Sequence, residues 1–279
     1  MDYNLRAKKL IHKYLNTKIT HINLADSGFD NTVLLVNTDR GDFVVRFATE
    51  DFHHLKAHVF AFSVWKKKDI PVPNIIAYGT DFVIETKIQG MDLSKTKLTD
   101  AQKKLLIRDI ALNLKKMHSI KTKKYGYIND SGIGEFSSWK TVMQKYISKR
   151  MDSLNKNSLV SIDMKRSINN YLKNNMKYIE LSSPRLIHKD VNAGNIMIYD
   201  GKFSGIIDAS DAMSGDPMFD VGIIYEIFDK KLFAIFCKYY GRINISKVKL
   251  FALINAIRNL HTKQNAKYHI DRITEILKS

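Results

Sequence analysis

Hydrophobic and polar residues follow two different periods along the chain, and the period changes near Gly90. Before Gly90, short β-branched runs are separated by turn residues, which is typical of antiparallel strands. Beyond it, apolar residues recur at the three- and four-residue spacing of helices. The pattern therefore predicts a strand-rich lobe over residues 1–90 and a mostly helical lobe over residues 91–279.

The first lobe is predicted to be a small α+β unit. A short helix over residues 3–15 precedes three strands, which are ITHINLA, NTVLLVNT and DFVVRFA. A helix over residues 49–68 follows and ends before the prolines of PVP, since proline interrupts a helix. Two more strands are predicted in NIIAYG and TDFVIETKI, so the lobe holds five antiparallel strands and one main helix.

The second lobe is predicted to be helical around one hairpin. A helix after Thr99 or Asp100 carries an apolar stripe formed by Leu105, Ile107, Ile110, Ala111, Leu114 and Met117. Helices are also predicted over residues 138–154, over residues 162–181 and beyond residue 216. Between them, NIMIYDGKFSGIIDA has two short apolar runs around an Asp-Gly pair, which predicts a β-hairpin.

Composition is that of an ordered globular protein, with 44% hydrophobic and 26% charged residues among 279. Cys237 is the single cysteine, which excludes an intrachain disulfide framework and a cysteine-based zinc site. The N-terminal residues lack the apolar core of a signal peptide, and the apolar run over residues 58–65 is much shorter than the roughly 20 residues of a membrane helix. These features predict a cytoplasmic protein without a membrane partner.

The formal charge of +17 is the one bulk property that favours a nucleic-acid partner. Its excess lies mainly in residues 91–183, which contain 19 Lys and Arg against 8 Asp and Glu. There the lysines stand between apolar residues at helical spacing, which is typical of solvated helix faces. The distribution argues against nucleic acid as the main partner, and the sequence indicates no oligomeric state.

The segment LIHKDVNAGNIMI places His188, Asp190 and Asn195 within eight positions, between two apolar flanks. Asp208 follows at the end of the next apolar run, across the predicted hairpin. An amide oxygen and a carboxylate brought together in this way suit Mg²⁺ bound to phosphates. Asp190 then remains to accept a proton, which is the division of roles that phosphoryl transfer requires.

These motifs resemble those of the aminoglycoside phosphotransferase and choline kinase superfamily, the small-molecule branch of the protein-kinase-like fold. The family motif H-x-D-x-x-x-x-N is present as HKDVNAGN, its I-D motif as Ile207-Asp208, and its G-D-P-x-x-D as GDPMFD. The resemblance continues upstream in SGFDNTVLLV, VVRF, IPVP, KIQGMDL and ALNLKKMHSI, and it spans roughly residues 20–230. It implies a bilobal fold that binds ATP or GTP in the first lobe and carries the catalytic loop and acceptor site in the second.

The resemblance also implies roles for individual residues. Asp190 resembles the catalytic base, and Asn195 and Asp208 resemble the Mg²⁺ ligands. Arg46 stands where many relatives have the phosphate-contacting lysine of the third strand. Further nucleotide contacts are implied for Ser27, Gly28 and Asn31 of the covering loop, for the backbone between Thr86 and Ile88, and for Ile207.

Three positions depart from the family pattern. One is Ala209, which follows Asp208 where Trp or Phe is common in relatives, so that apolar packing behind Asp208 is reduced. His58 stands where relatives have a glutamate that pairs with the basic residue of the third strand, so either this pairing is altered or the alignment is shifted. Lys189 lies beside Asp190, where it would either lower the proton affinity of the base or help to neutralise phosphate. His54 and His58 are four residues apart, but without a nearby third ligand they do not predict a metal site.

Other residues of the motifs are expected to be structural. A buried His188 ring would hold the loop by hydrogen bonds. Asp216 precedes Pro217 as a helix N-cap would, and Asp220 in the first helical turn would favour the helix dipole.

The sequence therefore predicts a small-molecule kinase that transfers the γ-phosphoryl group of ATP or GTP to a hydroxyl. An aminoglycoside is the first choice of acceptor, with Glu135, Glu226 and Asp229 as acids that could bind its amines. Macrolides, choline-like amines, homoserine and sugars remain open as acceptors. Two other classes also remain open, a nucleotide-binding pseudokinase and a basic nucleic-acid-binding protein.

Overall fold

The computed structural model describes residues 2–25, 31–48, 53–180, 183–260 and 266–278. Over these residues the chain has a bilobal α+β architecture, with a small N-terminal lobe built on an antiparallel sheet and a larger, mostly helical C-terminal lobe. The predicted fold class is therefore confirmed. Ser27 and Gly28, predicted to cover the nucleotide, lie outside the described residues.

The N-terminal lobe contains one five-stranded sheet and two helices. In chain order its elements are α1 (Tyr3–Leu15), β1 (Ile19–Leu24), β2 (Asn31–Thr38), β3 (Gly41–Ala48), α2 (His53–Lys66), β4 (Ile75–Tyr78) and β5 (Phe82–Thr86). The strands lie in the order β1-β2-β3-β5-β4, and every neighbouring pair is antiparallel. This order makes β3 and β5 direct neighbours, which decides the partner of Arg46.

The C-terminal lobe combines seven described helices with short strands. In chain order the elements are β6 (Met91–Asp92), α3 (Asp100–Met117), β7 (Tyr125–Ile128), β8 (Gly134–Phe136), α4 (Trp139–Lys156), α5 (Ile162–Asn175), β9 (Arg185–Ile187), β10 (Ile196–Tyr199), β11 (Lys202–Ile206), β12 (Met213–Gly215), α6 (Met218–Ile227), α7 (Lys230–Tyr240), α8 (Ile245–Asn259) and α9 (Ala266–Leu277). The strands form two sheets, ordered β11-β10-β6 and β8-β7-β12-β9.

Helix α3 shows how local sequence sets an element. Thr99 and Gln102 form a capping box, in which each side chain accepts a hydrogen bond from the backbone N–H of the other. The predicted apolar stripe is right except at its first position, because Leu105 is 51% exposed while Leu106 is buried. Leu106 lies on the buried face of the helix with the residues at 107, 110, 111, 114 and 117. Leu105 lies outside that face.

The hairpin strands β10 and β11 were predicted, but the other strands of the C-terminal lobe were not. Each of those others is only two to four residues long, so no alternating pattern marks it. They pair with segments far away in the chain, as β12 does with β7 on one side and β9 on the other. Tertiary pairing rather than local pattern therefore creates them.

The buried apolar residues form two clusters that do not follow the two lobes. The smaller cluster lies between α1 and the five-stranded sheet, with Ile11, Val45 and Ile84 among its members. The larger cluster fills the C-terminal lobe and also contains Phe62 and Trp65 of α2. Helix α2 therefore lies within the N-terminal lobe along the chain, but its buried side chains pack into the core of the C-terminal lobe. Within the described ranges, no helix combines the length and apolar character needed to cross a bilayer.

Candidate active site

The β10–β11 hairpin brings Asn195 and Asp208 to the same end of two paired strands. Its turn is formed by Asp200 and Gly201 with φ of 50° and 67°, as a type I′ hairpin requires. At the open end, the N–H of Ile207 donates to the carbonyl of Asn195 at 3.0 Å. The two predicted metal ligands therefore flank the last hydrogen bond of the hairpin.

The hairpin is packed closely against two segments, the connection between α2 and β4 and the segment after β5. The N–H of Ile206 donates to the carbonyl oxygen of Pro71 at 2.9 Å. A Cβ atom on Gly205 would lie 2.8 Å from that oxygen and 3.3 Å from the side chain of Ile88. Glycine is therefore required at position 205, because a side chain would push the hairpin away from both segments.

Asp190 and Asn195 are bonded to each other within the loop that precedes β10. The Nδ2 amide group of Asn195 donates to the backbone oxygen of Asp190 at 2.8 Å and to its Oδ2 atom at 3.0 Å. Because both amide hydrogens are used in this way, Oδ1 is the atom of Asn195 that can face a cation. Each carboxylate oxygen has two lone pairs, so Asp190 can still accept a hydrogen bond from an acceptor hydroxyl.

Asp220 of α6 holds the backbone of this loop. Its carboxylate accepts hydrogen bonds from the N–H groups of His188 at 2.8 Å and Lys189 at 2.7 Å, and it contacts Nε2 of His118 at 3.0 Å. Burial raises the pKa of Asp220, but the hydrogen bond and charge of His118 outweigh burial and hold that pKa below its ordinary value. Asp220 lies in the first turn of α6, as expected, and it is fully buried because it also bonds the loop.

His188 is a structural residue, as expected from the sequence. Its Nδ1 atom accepts from the N–H of Asp190 at 3.3 Å, so Nε2 carries the hydrogen and donates to the carbonyl of Ile207 at 3.1 Å. The ring stacks on Trp65 of α2 with an interplanar angle of 3°. One histidine thereby connects the loop, the hairpin and the helix of the other lobe.

The predicted contact of Ile207 with nucleotide stays a prediction.

Asp208 faces Arg46 across the boundary between the lobes. It has a φ of 60°, in the left-handed region that residues other than glycine rarely adopt, and its Oδ1 atom accepts from the N–H of Ser210 at 3.3 Å. Its Oδ2 atom lies 3.5 Å from the guanidinium of Arg46. Partial burial raises the pKa of Asp208, but the charge of Arg46 outweighs this and places the pKa well below its usual range.

Glu85 is the main partner of Arg46, and this pair was not predicted from the sequence. Nε of Arg46 donates to Oε1 of Glu85 at 2.9 Å, and Nε2 of His58 lies 2.5 Å from Oε2 of the same carboxylate. Both Glu85 and His58 are almost completely buried. The pairing is therefore altered rather than misaligned, since the carboxylate comes from β5 and the histidine of α2 hydrogen-bonds to it.

The strand register explains how Glu85 reaches Arg46. Arg46 lies opposite Val83 in the β3–β5 pair, so Glu85 is two residues further along on the same face of the sheet. Burial raises the pKa of Glu85, but the charges of His58 and Arg46 outweigh it and lower the pKa. An acidic residue inside the apolar strand FVIET was the one sign of this pair, because a buried carboxylate needs a cation.

Lys189 does neither of the two things that its position beside Asp190 suggested. Its side chain is 2% exposed and points away from the loop, with Nζ 2.7 Å from the hydroxyl of Tyr127 and 3.2 Å from Asp211. The backbone of Lys189 has a φ of 66°, in the left-handed region that residues other than glycine rarely adopt. His54 likewise bonds separately, through Nδ1 to the carbonyl of Ser210, so it forms no metal pair with His58.

The donor set fits a magnesium ion that also binds phosphates. In the part of the chain that is described, no three His, Cys, Asp or Glu residues gather as a cage for a metal. Mg²⁺ is usually held by one or two protein oxygens together with substrate phosphates rather than by such a cage. The Oδ1 atom of Asn195 and the carboxylate of Asp208 are oxygens of this kind.

The segment after β5 is the predicted adenine contact. The N–H of Thr86 donates to Asn74 and that of Lys87 donates to Asp42, at 2.9 Å and 3.0 Å. Of the three predicted positions, Ile88 is the one whose N–H is not used by either of these bonds. The contact of this segment with adenine stays a prediction, as does that of Asn31, whose backbone lies in β2.

Comparison with known proteins shows the family and the fold to which the chain is similar. A sequence model described as "Phosphotransferase enzyme family" matches residues 21–251. Similar solved structures include a thermostable mutant of aminoglycoside phosphotransferase APH(4)-Ia in a ternary complex with AMP-PNP and hygromycin B, with a TM-score of 0.73, 16% identity and 97% of each chain covered.

Two further structures have the same fold. The GDP complex of wild-type aminoglycoside 2'-phosphotransferase-IIIa has a TM-score of 0.72 at 17% identity, covering 100% of this chain and 99% of the other. The streptomycin-ATP-APH(2")-IIa ternary complex has a TM-score of 0.65 at 20% identity, covering 100% and 97%. At these identities the likeness shows a common fold, and the ligands belong to those proteins.

Proposed function

Since the family match covers most of its length, the chain belongs to the phosphotransferase enzyme family, and on this premise we propose that it phosphorylates a hydroxyl of an aminoglycoside-type small molecule with ATP or GTP as donor. The observation that supports the proposal is the arrangement of Asp190, Asn195 and Asp208 at the open end of one hairpin, with Arg46 facing them from β3.

In this reaction Asp190 orients the acceptor hydroxyl and accepts its proton at a carboxylate oxygen. The hydroxyl oxygen then bonds to the γ-phosphorus, and the bond to the leaving nucleoside diphosphate breaks. The Oδ1 atom of Asn195 and the carboxylate of Asp208 would hold Mg²⁺, which when bound neutralises phosphate charge. Arg46, buried, held by Glu85 and next to Asp208, would supply a fixed positive charge for the phosphates.

Glu85 removes the reason for expecting an inactive nucleotide binder. That alternative was based on the absence of a carboxylate at position 58, where relatives have a glutamate. Glu85 supplies the carboxylate from β5, so Arg46 is paired and oriented in a different way. We therefore place the chain among active kinases.

A metabolite kinase is the second candidate, and the distribution of acids favours it. Glu226 is 2% exposed and is bonded to Asn255 and His269, so it cannot bind an acceptor amine. Asp229 caps helix α7. Of the three acids suggested by the sequence, Glu135 alone is exposed without such a role. An acceptor with fewer positive charges than an aminoglycoside suits this surface better.

The decisive experiment is a screen of MgATP consumption against aminoglycosides, macrolides, choline, homoserine and sugars. We expect one class to stimulate ADP release. In Asp190→Asn, stimulated turnover should fall by about 10²–10⁴-fold while MgATP binding is kept, because the variant loses the base and not the phosphate site. Asp200→Asn is the matched control, since Asp200 lies in the exposed turn of the same hairpin and Asn also adopts its left-handed φ.

Wild-type rates in Asp190→Asn with its best acceptor would contradict the assignment of the base. Stimulation by none of the classes would contradict the proposed acceptor range. Stimulation by homoserine, choline or a sugar, with none by aminoglycosides, would favour the metabolite kinase.

A further inference from the structure

A line of charged groups extends from Asp190 into the C-terminal lobe, and its centre is Arg258 of α8. NH1 of Arg258 donates to Oδ1 of Asp190 at 2.9 Å, and NH2 donates to Oδ2 of Asp211 at 3.3 Å. The same oxygen of Asp211 lies 3.2 Å from Nζ of Lys189. No motif of the sequence marks Arg258, because it lies 68 residues after Asp190 and past residue 251, where the family match ends.

Lys189 is the fixed end of this line. Its ammonium group lies 4.6 Å from the centre of the Tyr127 ring and 5.4 Å from that of Tyr146. Burial lowers the pKa of Lys189, but the charge of Asp211 and the tyrosines outweigh burial and raise the pKa. A buried ammonium held by two rings and a carboxylate has little freedom to move, so it anchors Asp211 as well.

Arg258 and Asn195 bind different oxygens of the Asp190 carboxylate. Arg258 bonds to Oδ1 and Asn195 to Oδ2, so together they set the plane of the carboxylate about its Cβ–Cγ bond. Without Arg258, one hydrogen bond from Asn195 would remain and the carboxylate could rotate about it. The lone pairs of Asp190 that remain for the acceptor hydroxyl would then no longer point in one fixed direction.

We propose that Arg258 is a positioning residue that holds the carboxylate of Asp190 in the orientation needed to accept a proton, with Asp211 and Lys189 as its anchor. The inference rests on the proposed function of Asp190 as the base. Arg258 acts through Asp190 and needs no contact with either substrate. Its loss should therefore reduce turnover more than substrate binding, since misplacement of a reacting group by about 1 Å can cost about 10²-fold in rate.

The structural test compares crystal structures of the full-length wild type, Arg258→Ala and Arg258→Lys. We expect one Asp190 rotamer in the wild type. In Arg258→Ala the carboxylate should rotate about its hydrogen bond with Asn195 or occupy two rotamers, and Arg258→Lys should retain a single rotamer through one remaining bond. An unchanged Asp190 carboxylate in Arg258→Ala would overturn the proposal whatever the activity of the protein.

The kinetic test measures MgATP hydrolysis with water as the acceptor, so it requires no identified acceptor molecule. We expect Arg258→Ala to lower kcat by about 10–100-fold while KM for ATP stays within about twofold. Millimolar guanidinium chloride should restore part of the rate, and NaCl at the same concentration should not. Equal effects of the two salts, or an increase in KM alone, would show that Arg258 does not act through Asp190.

Arg272→Ala is the matched control for a purely structural arginine. Arg272 of α9 is also partly buried and bonds to Glu275 and to the carbonyl of Tyr225. Its loss should lower the free energy of unfolding without changing kcat. If Arg258→Ala does not fold, Asp211→Asn tests the same line, because it detaches Arg258 from Lys189 and should lower kcat by a smaller factor.

The two proposals fail in different ways. If the wild type released no ADP with water or any acceptor, the proposed function would be wrong, while the rotamer of Asp190 would still decide whether Arg258 positions it. If the wild type were active and Arg258→Ala kept both the rate and the rotamer, the positioning role would be wrong and the proposed function would stand.

Discussion

Arg46 is a buried cation whose charge is balanced by two carboxylates from different parts of the chain. Glu85 binds it within the N-terminal sheet, and Asp208 approaches it from the C-terminal lobe. Burial alone would lower the pKa of Arg46, but the charges of Asp208 and Glu85 outweigh burial and raise it. The guanidinium therefore stays charged and keeps one orientation, which is what a phosphate contact requires.

Replacement of Glu85 tests this pair. Glu85→Gln would leave Arg46 and His58 buried beside a neutral amide, so we expect the free energy of unfolding to fall by about 3–5 kcal/mol. MgATP should also bind more weakly, because the guanidinium is no longer oriented. Urea denaturation and calorimetric titration with MgATP measure the two effects.

A double variant and a surface pair serve as controls for Glu85→Gln. Adding His58→Glu places a carboxylate on α2, where relatives have one, and should restore part of the MgATP affinity. Asp81→Asn breaks the partly exposed ion pair with Arg6 in the same lobe and should cost about 1 kcal/mol or less. A double variant no better than Glu85→Gln would show that Arg46 needs no carboxylate for nucleotide binding.

At the scale of elements, helix α6 holds the backbone of the loop that contains Asp190. The loop's first two N–H groups donate to Asp220, and His118, the C-cap residue of α3, completes the bonds of that carboxylate. His118 also contacts the hydroxyl of Tyr240 on α7 at 2.7 Å, so three helices meet behind one loop. This arrangement explains why residues 188–190 can adopt an irregular backbone in a buried place, since their polar groups are satisfied by side chains.

The lowered pKa of Asp220 gives its contribution to stability a definite pH dependence. A carboxyl group whose folded pKa is below its unfolded value of about 3.9 stabilises the fold above that pH, and the contribution is lost as the pH falls through the folded pKa. At pH 7 we expect Asp220→Asn to be about 1.5–3 kcal/mol less stable than the wild type, because an amide replaces the buried carboxylate that accepts the N–H groups of His188 and Lys189.

Urea denaturation between pH 7 and pH 3 measures this difference. The gap between wild type and Asp220→Asn should stay constant down to about pH 4 and narrow below it. Asp163→Asn is a suitable control, since Asp163 pairs with Arg166 at an exposed site and should change stability little at any pH. A gap that widens on acidification would contradict the sign of the Asp220 shift.

At the scale of the molecule, the packing of α2 joins the lobes. Phe62 and Trp65 are fully buried in the larger cluster, and Trp65 stacks on His188 of the loop that contains Asp190. The proposed boundary near residue 90 therefore marks a change in the sequence pattern. The larger buried cluster contains residues from both sides of it. Lys104, Lys115 and Lys145 are exposed on α3 and α4, as expected for solvated helix faces.

This shared core predicts that the two lobes unfold together. The chain has two tryptophans, Trp65 in α2 and Trp139 in α4, and both are buried. In the background of either Trp65→Phe or Trp139→Phe, we expect Phe62→Ala to lower the free energy of unfolding by about 3–5 kcal/mol, with equal shifts of the fluorescence midpoint. Separate midpoints for the two tryptophans, or a shift at Trp65 alone, would show lobes that unfold independently.

The sequence by itself determined the order and type of most elements and the motif residues of the site. Local periodicity marks the five strands, the main helices and the β10–β11 hairpin, because each pattern reflects which face of one element is buried. Spacing along the chain also located Asp190, Asn195 and Asp208, since a hairpin joins adjacent segments.

Tertiary structure alone decided which residues form hydrogen bonds and ion pairs with the residues of the site. Glu85, Arg258 and Asp211 are partners that depend on strand register and helix packing between segments far apart in the chain. The same reason explains the buried direction of Lys189, the role of Asp220 and the short strands of the C-terminal lobe. A local pattern records that a residue is buried, but the identity of its partner depends on which distant segment packs against it.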